Sequence, residues 1–324
     1  MKRLFPGAAA AVLAVALAAC EAPTQAASAN ATAGVMAAAC PAQEVAGEGP
    51  TRGMVYVSGG PSLVGSDKFH AEEAPQRELD VSGFWIDTHE VTNADFAAFV
   101  KATGYVTLAE RDRAGGAVFF KPREAGGRED LSQWWRVDNG ATWRTPSGRS
   151  SSIEGRERHP VVQVAYEDAL AYAQWRGRDL PTEAEWERAA RGGLKDAEYV
   201  WGDESHPDGK FLANHWQGVF PVIDSGQDGF KGAAPVGCYP ANGYGLHDMA
   251  GNVWEWVKDP WDGDPNARVI KGGSFLCSDE FCHRYRPPAR QPGDASLGTS
   301  HVGFRTVLRG PAPAKTAQAG ASAG

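Results

Sequence analysis

The chain has 324 residues, with Lys+Arg 32 against Asp+Glu 40 and a formal net charge of −8. That length holds one large domain or two small ones, and the interspersed charges form no basic stripe, which argues against a nucleic-acid partner. The 11 Trp, 39 Gly and 21 Pro point to a loop-rich fold whose irregular backbone is pinned by large aromatic side chains.

The first elements are addresses rather than structure. Lys2 and Arg3 are followed by an apolar run from Ala8 to Ala19 that ends in Leu17-Ala18-Ala19-Cys20. The run is shorter than the roughly 20 residues of a membrane-spanning helix, so residues 1–19 read as an export signal. Its ending resembles the bacterial lipobox, which implies diacylation at Cys20; the alternative is a secretory signal cut near Ala19. Both readings export the protein. The first makes it a periplasm-facing lipoprotein of the bacterial envelope, and Glu21 rather than Asp after the cysteine favours the outer membrane. Residues 20–50 read as the lipidated Cys with a flexible tether, 51–309 as the folded domain, and 310–324 as a disordered tail.

Within the domain, Met54-Val55-Tyr56-Val57 reads as a strand, Gly59-Gly60-Pro61 as a turn, and Phe84-Trp85-Ile86 as a second strand. A helix is predicted after Thr92, with Asp95 completing a capping box, Phe96, Phe99 and Val100 inward, and Gly104 as its stop. A second helix runs from Tyr166 to Trp175, with Ala169, Leu170 and Ala173 on one side. A third follows Thr182, with Glu185 in the box, Trp186, Ala189 and Ala190 inward, and Gly192-Gly193 at its end. Residues 194–309 carry no long helical period and read as short strands, turns and aromatics. The fold class is α+β with few helices and much irregular loop.

Five cysteines remain to be assigned: Cys20, Cys40, Cys238, Cys277 and Cys282. The last two lie in Gly272-Gly273-Ser274-Phe275-Leu276-Cys277-Ser278-Asp279-Glu280-Phe281-Cys282, a spacing at which both sulfurs can converge. In an exported chain a structural disulfide is the ordinary reading. A zinc half-site lacks a second Cys/His pair nearby, while a pair of soft thiolates suits Cu(I). Spacing alone leaves these open and favours the disulfide. Cys40 and Cys238 are candidates for a disulfide that ties the N-terminal arm to the domain.

From Met54 to Leu308 the chain resembles the formylglycine-generating enzymes, the sulfatase-modifying factor family. The resemblance rests on Leu180-Pro181-Thr182-Glu183-Ala184-Glu185-Trp186-Glu187, Tyr199-Val200-Trp201-Gly202, Ala213-Asn214-His215-Trp216-Gln217-Gly218, Asn242-Gly243-Tyr244-Gly245-Leu246, Gly251-Asn252-Val253-Trp254-Glu255-Trp256, Lys271-Gly272-Gly273-Ser274 and Gly303-Phe304-Arg305. These mark the superfamily. The run from Gly272 to Cys282, followed by Arg284-Tyr285-Arg286, resembles the copper-dependent members in particular. The resemblance implies a formylglycine-generating-enzyme fold related to the C-type lectins. It also implies Cu(I) held by Cys277 and Cys282, dioxygen as co-substrate, and a client cysteine in a Cys-x-Pro-x-Arg motif, in an exported sulfatase, as third thiolate. Loss of a hydrogen from the client's β-carbon and hydrolysis of the thioaldehyde would then give the aldehyde. With the resemblance added, the copper reading overtakes the disulfide, and the two are compatible if the resting pair is a reversible disulfide.

Further residues carry over. Ser274 matches an active-site serine and Trp254 an aromatic of the same pocket. Two structural calcium sites are implied: Asn214, His215 (backbone), Asp228 and Phe230 (backbone), then Asp248, Gly251 (backbone), Val253 (backbone) and Glu255. Trp134, Trp135 and Trp143 lie in a segment that either lines a client groove or packs in the core. Phe281 stands where the family usually has Tyr, Ser278 where it often has His, and Asp248 replaces an Asn; His283 reads as a neighbour of the metal site rather than a ligand. Three rivals stand beside the oxidase: a non-catalytic envelope scaffold, a periplasmic oxidoreductase or maturation factor with another peptide client, and an iron sulfoxide synthase, for which the eight scattered His supply no motif.

Overall fold

The structure, a computed structural model, describes residues 40, 48–111, 113–121 and 134–313. The export signal, Cys20 and all of the tether except Cys40 and 48–50 lie outside the described residues, as do Gln133 and the tail beyond Pro313.

Four α-helices occur among the described residues: α1 (Asn93–Thr103), α2 (Leu108–Arg111), α3 (Tyr166–Trp175) and α4 (Glu183–Arg191). Three of them match the predicted spans because their ends are written locally. In α1, Thr92 Oγ1 accepts from Asp95 N at 3.1 Å and Asp95 Oδ2 accepts from Thr92 N at 3.3 Å. Thr182 and Glu185 form the same reciprocal pair at α4, and Gly104 and Gly192 end these helices at φ 70° and 58°, a conformation glycine enters without a Cβ clash. The one-turn α2 escapes the sequence because four residues carry no period.

The strands are β1 (Met54–Val57), β2 (Gly60–Val64), β3 (Arg77–Val81), β4 (Phe84–Asp87), β5 (Gly116–Phe119), β6 (Trp135–Asp138), β7 (Trp254–Trp261), β8 (Asp264–Lys271), β9 (Arg290–Asp294), β10 (Val302–Gly303) and β11 (Val307–Arg309). They form a three-stranded sheet β1-β4-β11, a four-stranded sheet β10-β7-β8-β9, and the two-stranded ladders β2-β3 and β5-β6. Two expectations need correction. Gly60 and Pro61 open β2 instead of completing a turn; β2 pairs only with β3, and an edge strand tolerates the missing proline N–H. Residues 194–309 include two paired eight-residue strands, β7 and β8. Pro260 and a register shift between Trp256 and Pro260 obscure their alternation in the sequence.

The main core holds Phe84, Ile86, Phe96, Trp143, Trp186, Trp254, Trp256 and Phe304, together with Cys277, Cys282 and Tyr285. Two of the indoles are tied by hydrogen bonds, Trp186 Nε1 donating to Glu255 Oε2 at 2.8 Å and Trp256 Nε1 to Val164 O at 3.0 Å, whereas the buried Trp143 Nε1 has no partner. Each such ring contributes on the order of 1.5–3 kcal/mol by burial. A second cluster of Trp134, Trp216, Phe220 and Leu276 packs with half-buried Phe281, so the cysteine loop lies between two apolar masses.

Candidate active site

The cysteine loop begins with a turn that only glycine permits. Gly272 and Gly273 have φ 96° and 74°. A Cβ at Gly273 would sit 2.8 Å from Tyr285 Cα, so its absence lets the outgoing and returning chains touch. Ser274 O then accepts from Cys277 N at 2.9 Å and Ser274 Oγ from Leu276 N at 3.2 Å. Ser278 O accepts from Cys282 N at 3.1 Å and His283 N at 2.9 Å, which turns the chain back. The Cα atoms of Cys277 and Cys282 end 4.7 Å apart with their sulfurs joined, and the residues are 1% and 8% exposed.

Neighbouring elements hold that loop. Phe275 N donates to Asn252 O at 2.9 Å, and Trp216 N to Cys277 O at 2.8 Å. Asn252 is a hub that sequence reasoning missed: at φ 55° its side chain accepts from Ala234 N and donates to Glu90 Oε1. On the return side, Arg286 forms a two-pronged, fully buried pair with Glu73, and Arg284 Nε reaches Glu72 at 3.0 Å. Glu72 and Glu73 lie more than two hundred residues away in sequence, so only the Arg284-Tyr285-Arg286 end of this clamp was visible as a motif.

The loop has two unlike walls. One is apolar: Phe281 stacks on Phe220 at 4.2 Å and meets Trp134 edge-on at 5.3 Å. Of the three tryptophans considered for a groove, Trp134 belongs to this wall and is fully buried, and half-buried Trp135 lies 4.7 Å from His301. Trp143 is core, edge-on to Phe96 at 5.2 Å, and drops out of the groove. The other wall is polar and aromatic. Tyr199 Oη is 2.9 Å from His283 Nε2, Tyr285 Oη donates to Asp279, and His215 stacks on Tyr285 at 4.6 Å. Burial holds the His283 imidazole below its ordinary pKa. Ser274 is fully buried at the base of the loop. Trp254 opens β7, its N–H donating to His301 O at 2.9 Å, in the same core as both cysteines.

The residues considered for calcium fall in two groups, buried except for half-buried Phe230. In the first, Asp228 accepts from His215 N and Phe230 N at 3.0 Å each, and Asn214 Nδ2 donates to Asn252 Oδ1. Gln217 reaches the His215 carbonyl. Burial raises the Asp228 carboxyl to about 6. In the second, Asp248 Oδ1 is buried without a partner, and so is Oε2 of Glu90. Burial raises both carboxyls, Glu90 further through Asp248. Glu255 instead faces Arg305, with Oε1–Nη2 and Oε2–Nε both 2.7 Å, so Glu90, not named from sequence, is the acid left over. Gly251 and Val253 flank Asn252 and are buried. No group of three or more His, Cys, Asp or Glu side chains converges on a metal position among the described residues; a hard cation here would draw on carbonyl oxygens as well.

A cavity of about 410 Å³ lies elsewhere, lined by Asp87, Thr92, Asp95, Arg176 and Arg178 among others. The Arg178 guanidinium is already engaged by Pro50 O, Arg52 O, Asp87 and Thr306. None of the lining residues belongs to the cysteine loop.

Residues 41–309 match the family model described as the sulfatase-modifying factor enzyme 1-like domain. A formylglycine-generating enzyme of Mycobacterium tuberculosis is 48% identical over 292 residues, covering 78% of this chain and 97% of the relative. An inactive C-alpha-formylglycine-generating enzyme 2 of Bos taurus is 39% identical over 272 residues, covering 80% and 89%. Among solved structures, PvdO from Pseudomonas aeruginosa superposes with a TM-score of 0.58 at 22% identity, over 82% of this chain and 99% of that one; a likeness at that identity speaks for the fold alone.

Proposed function

The chain belongs to the sulfatase-modifying factor enzyme family, and from that premise we propose that it is a copper-dependent oxidase that converts a client cysteine to formylglycine with dioxygen. The observation that carries the proposal is the convergence of Cys277 and Cys282, sulfur against sulfur, at the end of a clamped loop. Once reduced, two thiolates suit a soft monovalent ion, which can accept a third sulfur from the client. Copper, when bound, would pass electrons on to dioxygen and offer a soft centre for the client thiolate. Cys277 and Cys282 would hold it, Ser274 would position water or oxygen at the base of the loop, and Trp254 would shield the same space from solvent.

The client is read as a sulfatase-type protein carrying Cys-x-Pro-x-Arg, lying against the loop. Phe281 places an apolar ring where a phenol is usual, and Ser278 a hydroxyl where imidazole is frequent, which bears on rate rather than on metal binding. The two groups of residues are read as structural calcium sites, because the buried Asp228 carboxyl and the unpartnered Asp248 Oδ1 would both gain from a cation. The Cys40–Cys238 disulfide supports export to an oxidising compartment. The lipid on Cys20, and with it the outer membrane as location, is part of the same proposal.

The test is direct. The purified chain, reduced and loaded with Cu(I), is incubated in air with a Cys-x-Pro-x-Arg peptide, and formylglycine is sought by mass spectrometry. Conversion that disappears with Cys277→Ser supports the oxidase. Tight copper without conversion points to another client. No copper uptake points to a scaffold.

A further inference from the structure

The reaction just proposed does not balance on its client alone. Taking the client's thiol carbon to the aldehyde with release of hydrogen sulfide removes two electrons, whereas taking dioxygen to the level of water needs four. Overall, the client thiol, one dioxygen, two protons and two electrons give the aldehyde, one hydrogen sulfide and one water. A second reductant must supply the missing electron pair. A small thiol does so when two of its molecules join as a disulfide and release two protons and two electrons. The cysteine residues are 1% and 8% exposed, so a thiol in solution has poor access to them while a client covers the loop.

The polar wall offers a route. Trp201, half-buried, stacks on Tyr199 with ring centres 5.1 Å apart and planes 3° apart. Tyr199 stacks on Tyr285 at 5.8 Å and 24°. Tyr285 is fully buried in the same core as Cys282, three residues along the chain, and its hydroxyl reaches Asp279 inside the loop that the two cysteines close. All three rings are types that give up an electron, and both phenols already touch a proton acceptor: Asp279 for Tyr285 and His283 Nε2, 2.9 Å away, for Tyr199. The opposite wall holds Trp134 and Trp216 as well, but each meets its phenylalanine neighbours edge-on, and its stacked rings, Phe119, Phe220 and Phe281, are all phenylalanine.

We propose that Trp201, Tyr199 and Tyr285 relay electrons one at a time from a small thiol at the surface to the cysteine pair; this rests on the oxidase reading above. In each passage Tyr285 gives an electron inward while its phenol proton moves to Asp279. Tyr199 then reduces Tyr285, which takes its proton back, and the Tyr199 proton moves to His283. Trp201 reduces Tyr199, which recovers its own proton, and the thiol reduces the Trp201 cation. Two passages complete one turnover, and no residue is changed at the end.

The experiment uses the full copper-loaded chain in air with client peptide, with and without excess thiol. Freeze-quenched samples are read by electron paramagnetic resonance, and oxidised residues are mapped by mass spectrometry. Without thiol, a tyrosyl-type radical and oxidation concentrated at Trp201 and Tyr199 are expected. Tyr199→Phe keeps the ring and the stack, and should lose the oxidation at Trp201 while copper still binds. Trp201→Phe should leave the radical on Tyr199, a second check should the first variant fold poorly. Formylglycine formed by wild type with no aromatic radical, or oxidation scattered over the surface and indifferent to Tyr199→Phe, overturns the relay and leaves the oxidase standing. Absence of both copper binding and conversion overturns the two together.

Discussion

Arg286 Nη2 lies 2.6 Å from Glu73 Oε1, and neither side chain has any exposed surface. The pair joins the returning limb of the cysteine loop to a short 3-10 turn near the start of the domain. Buried charges in such a pair tolerate joint replacement better than the loss of one partner, which leaves the other uncompensated. Glu73→Gln is therefore expected to cost about 3–5 kcal/mol of unfolding free energy, read from denaturant midpoints. A change below about 1 kcal/mol would mean the loop is held by other contacts.

Cys277→Ser and Cys282→Ser should each abolish formylglycine formation and copper uptake while the domain stays folded. The crosslink spans a sequence separation of 5, and closing so short a loop removes little chain entropy, about 2 kcal/mol by the loop-closure relation. Circular dichroism and copper titration of the two variants check this. Unfolding of both would make the pair structural.

The other disulfide should behave in the opposite way. Cys40–Cys238 closes a separation of 198 residues and stands beside Gly237, whose N–H donates to Asp248 at 2.6 Å. Cys40→Ser is expected to lower stability by about 5 kcal/mol by the same loop-closure relation with turnover per folded molecule unchanged, measured by thermal unfolding and single-point assays.

Calcium should raise the melting temperature of chelator-treated protein. An ion that binds only the native state at about 100 times its dissociation constant adds about 2.7 kcal/mol. Asp228→Ala should remove part of the gain, and no shift at millimolar calcium in wild type would sink the calcium reading.

His159 supplies a pH test away from the site. Burial first, then Arg156 and Arg158, lowers its imidazole from 6.5 to about 4, and its Nδ1 is buried without a partner. The folded pKa is depressed, so the unfolded chain takes up the proton first as pH falls. The His159 contribution is intact above about 6.5 and drains away towards about 4. Allowing for its partial exposure, about 1–2 kcal/mol is at stake. The stability difference between wild type and His159→Gln should slope across that window and be flat above it.

The helices at 93–103, 166–175 and 183–191 were legible because period and caps are written within a dozen residues. Thr92 with Asp95, and Thr182 with Glu185, name both partners of a contact three positions apart. The strand Met54–Val57 was legible for the same reason. The eight-residue strands β7 and β8 were not, because Pro260 interrupts the alternation and the pairing is what makes them strands.

For the candidate site, the order of residues was enough to name the chemistry on offer: two thiols at close spacing, a Gly-Gly turn to bend the chain between them and its return, and Arg284 and Arg286 to hold it. What meets what was settled by folding. The closed chain supplied Glu72 and Glu73 as partners of those arginines, sent Trp143 to the core and Trp134 to the apolar wall, turned Glu255 towards Arg305 and left Glu90 facing Asp248. Local hydrogen bonds and dihedral preferences act over a few residues and can be read along the chain. Burial and charge pairing act between segments up to about two hundred residues apart, and their partners exist only once the chain has closed on itself.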